Sequence, residues 1–110
     1  MKELLSKDLA EIISIIKNID PERIYLFGSY AMGTFDKESD LDILVIAPSD
    51  KTPLERRSML RKMLIEYDRK IGLDLIVYTP EEFNTLIKEP SSFLSSAIEK
   101  AIKVYEREPA

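Results

Sequence analysis

The 110-residue chain contains no cysteine and no histidine. Without cysteine it can form no disulfide, use no thiolate nucleophile and hold no sulfur-ligated metal. Without histidine, any metal ion has to be bound through oxygen ligands, which favours Mg²⁺ or Mn²⁺ over Zn²⁺. The possible chemistry is therefore narrowed to sites built from carboxylates, hydroxyls and backbone groups.

The sequence also lacks an apolar run long enough to span a bilayer and any clustered basic stretch. Its first segment, MKELLSKDLAEIISIIKNI, carries acidic residues throughout and does not have the pattern of a signal peptide. The net charge is −4, whereas sequence-independent binding of nucleic acid needs a clustered basic surface. We therefore expect a cytoplasmic protein that binds neither membranes nor nucleic acid in this way.

What is present is the composition of a globular protein, with 45% hydrophobic and 33% charged residues. The length is that of one domain, which we place at residues 1–110. Apolar spacing and turn residues predict strands alternating with helices. The strands are expected at 23–28, 41–47 and 73–79, with a short final strand near 103–107, and the helices at 3–18, 53–70, 80–90 and from Ser91 or Ser92 to Lys100. This order predicts an α/β domain with helices packed on a sheet.

Two acidic residues lie at the start of the second predicted strand. In the stretch GSYAMGTFDKESDLDILV, Asp40 and Asp42 are two residues apart, so a strand would point their side chains to the same side. Asp74 holds a similar position at the start of the third strand, LDLIVYT. If these two strands pair, the three carboxylates converge.

Converging carboxylates repel one another, and each raises the pKa of its neighbours. A divalent cation removes this cost, and carboxylate clusters of this kind often hold two metal ions for phosphoryl chemistry. The alternative is purely structural, because an aspartate at a strand end often accepts backbone hydrogen bonds or pairs with a basic residue. The residues alone leave both interpretations open, for Asp74 more than for the pair Asp40 and Asp42.

The spacing of these residues resembles a known signature. Gly28-Ser29, ten residues, and then Asp40-Leu41-Asp42 is similar to the Gly-Ser-x10-Asp-x-Asp motif of the DNA polymerase β-like nucleotidyltransferase superfamily. The short chain and the third acid, Asp74, resemble its minimal nucleotidyltransferase (MNT) branch. The resemblance covers residues 23–79 and implies the polymerase β-like fold, a small mixed sheet with helices packed on it.

The resemblance also implies roles for these residues. Gly28 would let the backbone approach a nucleoside triphosphate, and Ser29 would contact its phosphate oxygens. Asp40 and Asp42 would hold two Mg²⁺ ions, with Mn²⁺ as a possible substitute. Asp74 would bind the catalytic ion and activate an acceptor hydroxyl, which attacks the α-phosphate of ATP while pyrophosphate leaves.

The motif assigns no basic residue to the triphosphate. Five candidates lie in or near the motif, and a solvated helix face is the alternative for most of them. They are Lys37, Arg56, Arg57, Arg61 and Lys62.

A short MNT chain resembles the antitoxin of HEPN–MNT toxin–antitoxin pairs, which transfers AMP from ATP to a tyrosine of its HEPN ribonuclease partner. This implies a hetero-oligomer with the toxin, or a homodimer when the chain is alone. Two alternatives stay open, an antitoxin that acts by binding only and a small-molecule, antibiotic-type nucleotidyltransferase. Apolar residues of the last segment could anchor a partner or close the chain's own core, namely Phe93, Leu94, Ile98, Ile102 and Val104.

Overall fold

A computed structural model describes residues 2–33 and 39–109, with side chains from residue 7 onward. Helices and strands alternate along most of it, as the sequence predicts. In chain order the elements are α1 (Lys2–Ile16), a 3-10 turn (Lys17–Ile19), β1 (Arg23–Phe27), α2 (Gly28–Met32), β2 (Leu41–Ile46), α3 (Pro53–Met63), α4 (Ile65–Ile71), β3 (Leu73–Tyr78), α5 (Pro80–Ile87), α6 (Phe93–Glu99) and β4 (Ile102–Glu106).

The four strands form one mixed sheet in the order β3-β2-β1-β4. Strand β1 is antiparallel to both of its neighbours, β2 and β4, whereas β2 and β3 are parallel. A parallel pair needs a long crossover connection, and here α3 and α4 supply it. The predicted α/β fold with a small mixed sheet is therefore confirmed, and so is the final strand.

The sheet is covered on both faces. On one face, α1 and α3 bury apolar side chains such as Ile12, Ile16 and Leu60 against the strands. On the other face, α5 and α6 contribute Phe83 and Leu94 to a smaller core. Strand β2 is consequently buried at every position except Asp42, while on β3, at the edge of the sheet, buried and half-buried residues alternate.

Two helices, α3 and α5, begin at capping boxes. Thr52 and Thr79 each accept a hydrogen bond from the backbone N–H three residues on, and the glutamates there, Glu55 and Glu82, accept one from the threonine backbone. Each cap satisfies two N–H groups that a helix start leaves unpaired. A proline follows each threonine, as the sequence predicts for helix starts.

The single helix predicted over 53–70 is in fact two helices, α3 and α4, with a break at Leu64. The Leu64 side chain is completely buried, and its N–H is shared between the carbonyl oxygens of Leu60 at 3.1 Å and Arg61 at 3.2 Å. Core packing at Leu64 therefore overrides the continuous helical pattern. The helix predicted to run to Pro90 ends earlier, at Ile87, and the last helix begins after Ser92. Within the described ranges, no helix has both the length and the apolarity that crossing a membrane requires.

Candidate active site

Asp42 and Asp74 are direct neighbours across the two parallel strands. The register of β2 and β3 pairs Asp42 with Asp74, and the two carboxyl groups are within hydrogen-bonding distance of each other. Both line an open cleft beside α6, on the sheet face covered by α5 and α6. The sequence expectation that the two strands pair and bring their acids together is met for these two residues.

The environment of Asp42 favours its protonated form. Its pKa rises from 3.8 to about 6, chiefly because burial removes water from the carboxylate. The negative charge of Asp74, the hydrogen bond between the two carboxyl groups and the charge of Asp40 raise it further. The site therefore concentrates negative charge around Asp42.

Two glycines make room for the acids. Gly28 follows β1 with a φ of +70°, and a Cβ atom on it would collide with the Asp42 carboxylate. Gly72, with a φ of +73°, is packed in the same way against the Asp40 carboxylate. Only glycine adopts these backbone angles without strain and leaves the space free, so Gly28 positions the motif turn directly beside Asp42.

Asp40 lies just before β2 and is exposed. It is close enough to raise the pKa of Asp42, yet its carboxylate is packed at Gly72 rather than between the other two acids. Within residues 2–33 and 39–109, no three acidic side chains are arranged to hold a metal ion between them. The structure thus joins Asp42 with Asp74 and leaves Asp40 beside the pair.

Ser29 is half-buried in the first turn of the short helix α2, directly after Gly28. The chain turns from β1 into α2 here, so the backbone of both residues lies at the end of the sheet where β2 begins. Backbone N–H groups at a helix start carry partial positive charge. The turn and its helix start therefore lie next to the acid pair.

The cleft encloses about 440 Å³. Gly28, Asp42 and Asp74 line it together with residues of α6. Two large apolar side chains at the cleft are exposed, Met32 at 53% and Phe93 at 62%, and Phe93 packs edge-on against Phe27.

Three residues of α6 and its end line this cleft and were not among the predicted site residues, namely Ser96, Ala97 and Lys100. Phe93, Ser96 and Lys100 have the spacing of residues on one helix face. This spacing could have been read from the sequence, but the Gly-Ser and Asp-x-Asp motif does not indicate that the face turns towards the acids. The apolar residues predicted as possible partner anchors differ in burial. Leu94 is in the core, whereas Phe93 and Ile102 are exposed.

The predicted basic candidates occupy different environments. Arg56 is buried, with Nη1 2.7 Å from Oε1 of Glu82 and Nε donating to the carbonyl of Lys51 at 2.9 Å. It links the starts of α3 and α5 and does not line the cleft. Arg57, one residue on, places Nη2 3.9 Å from Oδ1 of Asp74, and both side chains are about half exposed.

The remaining candidates lie farther along the chain or outside the described residues. In the described residues Arg61 has a buried Nε with no hydrogen-bond partner, and Lys62 is exposed on α3. Lys37 lies outside the described residues.

The mixed sheet, with an acid pair on adjoining parallel strands below a glycine-led turn, is the architecture of a nucleotidyltransferase. Residues 9–105 match the family model described as a nucleotidyltransferase domain. The chain belongs to this family and is a nucleotidyltransferase.

A protein of Methanocaldococcus jannaschii with the provisional name protein adenylyltransferase is 30% identical over 90 residues, which are 79% of this chain and 89% of that protein. Two solved structures share the fold. A toxin–antitoxin structure with AMP-PNP has a TM-score of 0.63 at 24% identity, covering 90% of this chain and 73% of that one. A complex of a tri-AMPylated HEPN toxin with an MNT antitoxin, from Shewanella oneidensis, has a TM-score of 0.59 at 21% identity, covering 97% and 74%.

Proposed function

We propose that this nucleotidyltransferase transfers AMP from ATP to a tyrosine hydroxyl of a HEPN-domain ribonuclease and so acts as its antitoxin. The observation that carries the proposal is the Asp42–Asp74 pair at the Gly28–Ser29 turn, in a cleft open to a large acceptor. The names of the relatives support AMP transfer to a protein and a HEPN partner. We further propose that residues 1–110 form one minimal domain in the cytoplasm, in a hetero-oligomer with the toxin.

The donor set fits a divalent cation. Asp42 and Asp74 offer carboxylate oxygens whose mutual repulsion and desolvation are offset only in part by the half-exposed Arg57, because the pKa of Asp42 stays raised. Mg²⁺ is usually bound by one or two carboxylates together with substrate phosphates and water, so a pair of acids is sufficient when the nucleotide supplies the other ligands. Asp42 and Asp74 would hold the ion, with Asp40 able to join for a second, and bound Mg²⁺ would neutralise charge on the phosphates.

The chain's own residues would carry the remaining steps. Gly28 lets the backbone approach the triphosphate, and Ser29 donates hydrogen bonds to its oxygens. The acceptor oxygen attacks the α-phosphorus, the bond to the β-phosphate oxygen breaks, and pyrophosphate leaves. Asp74 accepts the proton of the acceptor hydroxyl at a carboxylate oxygen.

The test follows label from ATP onto protein. ATP labelled at the α-phosphate is incubated with Mg²⁺, this chain and a HEPN-domain protein from the same organism. We expect label on the HEPN protein, removed from it by Tyr→Phe at the acceptor, and loss of its ribonuclease activity. The variant Asp40→Ala/Asp42→Ala should transfer nothing, whereas Asp50→Ala, which removes a charge from an exposed loop, should transfer normally.

Other outcomes would replace the proposal. A stable complex that inhibits the ribonuclease without label would indicate an antitoxin that acts by binding. Label that appears only on a small hydroxylated compound would indicate an antibiotic-type enzyme. Equal label transfer by the double aspartate variant would contradict the assignment of the acid site.

A further inference from the structure

Lys100 lies beside the motif turn, although it is 71 residues from Ser29 in sequence. Strands β1 and β4 are antiparallel, with Leu26 opposite Ile102. The paired residues end two positions from Gly28 on one strand and two positions from Lys100 on the other, and both Gly28 and Lys100 line the cleft that contains Asp42 and Asp74. The end of α6 thereby shares this cleft with the turn where a phosphate group would approach the backbone.

Of the described residues that line this cleft, Lys100 alone is positively charged. Within the same part of the chain, no carboxylate forms an ion pair with its ammonium group. The arginines of α3 differ in this respect, because Arg56 is engaged by Glu82 and Arg57 faces Asp74. Lys100 is exposed, so its charge is available to a ligand.

Ser96 precedes Lys100 by one helical turn and lines the same cleft. Side chains four residues apart lie on one face of a helix, so α6 presents a hydroxyl and an ammonium group together. The small side chain of Ala97 between them leaves room for close approach. This face therefore carries a hydroxyl and an ammonium group in the same cleft as the motif turn and the acid pair.

We propose that Lys100 binds the polyphosphate of the nucleotide substrate, as the cation that the Gly-Ser motif itself does not supply. The inference rests on the proposed use of a nucleoside triphosphate at this site. Lysine acts on a phosphate as a compact point charge with three donors. The contribution of Lys100 to affinity should therefore increase with the number of phosphates and should not depend on the base.

The test measures binding of AMP-PNP, AMP and adenosine by calorimetry in the presence of Mg²⁺. Lys100→Gln should weaken AMP-PNP binding by about ten-fold or more, because a charge-assisted hydrogen bond is lost. Its effect on AMP should be smaller, and adenosine should bind unchanged. Lys100→Arg should restore most of the affinity for AMP-PNP, and both variants should melt at the wild-type temperature.

Lys103→Gln is the matched control. Lys103 lies three residues on, on β4, and its charge is paired with Glu106 at 2.8 Å, so this variant should bind AMP-PNP like the wild type. Equal affinity of Lys100→Gln and Lys103→Gln for AMP-PNP would overturn the inference while leaving the proposed function intact. Equal weakening of all three ligands would overturn it too, since the contact would not be with phosphate. Failure of the wild type to bind AMP-PNP would instead overturn the proposed function, and this inference with it.

Discussion

The carboxylate of Asp42 occupies the space where a side chain on Gly28 would have to lie. The two residues are adjacent across the sheet, because Phe27 at the end of β1 is opposite Asp42 on β2. The turn thus requires glycine at position 28 for two reasons. The backbone φ there is +70°, and the Asp42 carboxylate fills the space of a side chain. The motif turn and the acid pair are parts of one packed unit rather than two separate features.

Gly28→Ala should abolish nucleotidyl transfer and destabilise the fold. A left-handed backbone angle costs a non-glycine residue about 1–2 kcal/mol, and the new methyl group would also displace the Asp42 carboxylate. Urea unfolding and a transfer assay measure the two effects. Gly33→Ala separates them, because Gly33 has a similar φ of +74° while no described heavy atom lies within 4 Å of its Cβ position. If both variants lost equal stability and kept full transfer, the packing of Gly28 against Asp42 would have no functional role.

The raised pKa of Asp42 predicts a pH dependence of stability in the metal-free protein. An acid whose folded pKa lies above its unfolded value favours folding at low pH, and this contribution is lost as the pH rises from 3.8 towards about 6. In chelator at about pH 8, Asp42→Asn should therefore be more stable than the wild type, by about 1 kcal/mol or less because the site is partly solvated. At about pH 4 the two should be nearly equal.

Thermal denaturation checks this, with Asp50→Asn in the exposed loop as the control. Mg²⁺ or Mn²⁺ should raise the melting temperature of the wild type, since a ligand that binds only the folded state stabilises it. This metal-dependent rise in melting temperature should be absent in Asp42→Asn. An Asp42→Asn variant that is less stable than the wild type in chelator at high pH would show that the carboxylate is not repelled there.

The sequence was sufficient for the strands that carry the acids because local patterns determine them. Apolar β-branched runs, capping threonines and prolines define β2, β3 and the starts of α3 and α5 without help from distant residues. The site motif is likewise contained in a short stretch, so its resemblance to a known signature was enough to place Gly28 and Asp42 in the predicted site. The pairing of Asp42 with Asp74 needed only the added assumption that the two strands are neighbours.

What the sequence did not predict depends on tertiary packing. The break at Leu64 follows from its burial in the core, which a continuous helical pattern does not reveal. Arg56 has the sequence context of a surface cation, yet it pairs with Glu82, 26 residues away. Lys100 reaches the cleft because β4 pairs with β1, and that pairing joins segments too far apart for spacing to indicate it.

The Arg56–Glu82 pair predicts a structural role that is distinct from nucleotide binding. Arg56→Met should destabilise the fold by about 2 kcal/mol, since it leaves a charge-assisted hydrogen bond unmade and Glu82 without its buried partner. The neighbouring variant Arg57→Met should cost less than about 0.5 kcal/mol, because that side chain is half exposed. Urea unfolding measures both, and AMP-PNP affinity should be unchanged in Arg56→Met.

The same pair predicts an acid dependence. Hydrogen bonding from Arg56 lowers the pKa of Glu82, so the stabilisation is complete above the ordinary glutamate value of about 4.3 and is lost as the pH falls through the lower folded value. The gap in stability between the wild type and Arg56→Met should therefore shrink between about pH 6 and about pH 3. A gap that is constant with pH would show that packing of the arginine stem, not its charge, is what matters.

Under the proposed function, Phe93 predicts where the acceptor protein is recognised. Its ring is 62% exposed although it packs against Phe27, and it lines the cleft that contains both acids. Exposed aromatic residues at the centre of an interface often supply a large share of the binding energy. Phe93→Ser should therefore weaken binding of the HEPN protein by about ten-fold or more, with little change in AMP-PNP affinity.

Leu54→Ser is the matched control for this prediction, because Leu54 is 71% exposed on α3 and does not line the cleft. It removes a comparable exposed apolar surface and should bind the HEPN protein like the wild type. Titration calorimetry with each ligand separates the possible roles of Phe93. If Phe93→Ser bound the HEPN protein normally and lost affinity for AMP-PNP, the ring would contact the nucleotide base, and the acceptor would have to enter the cleft from the side of the Gly28 turn.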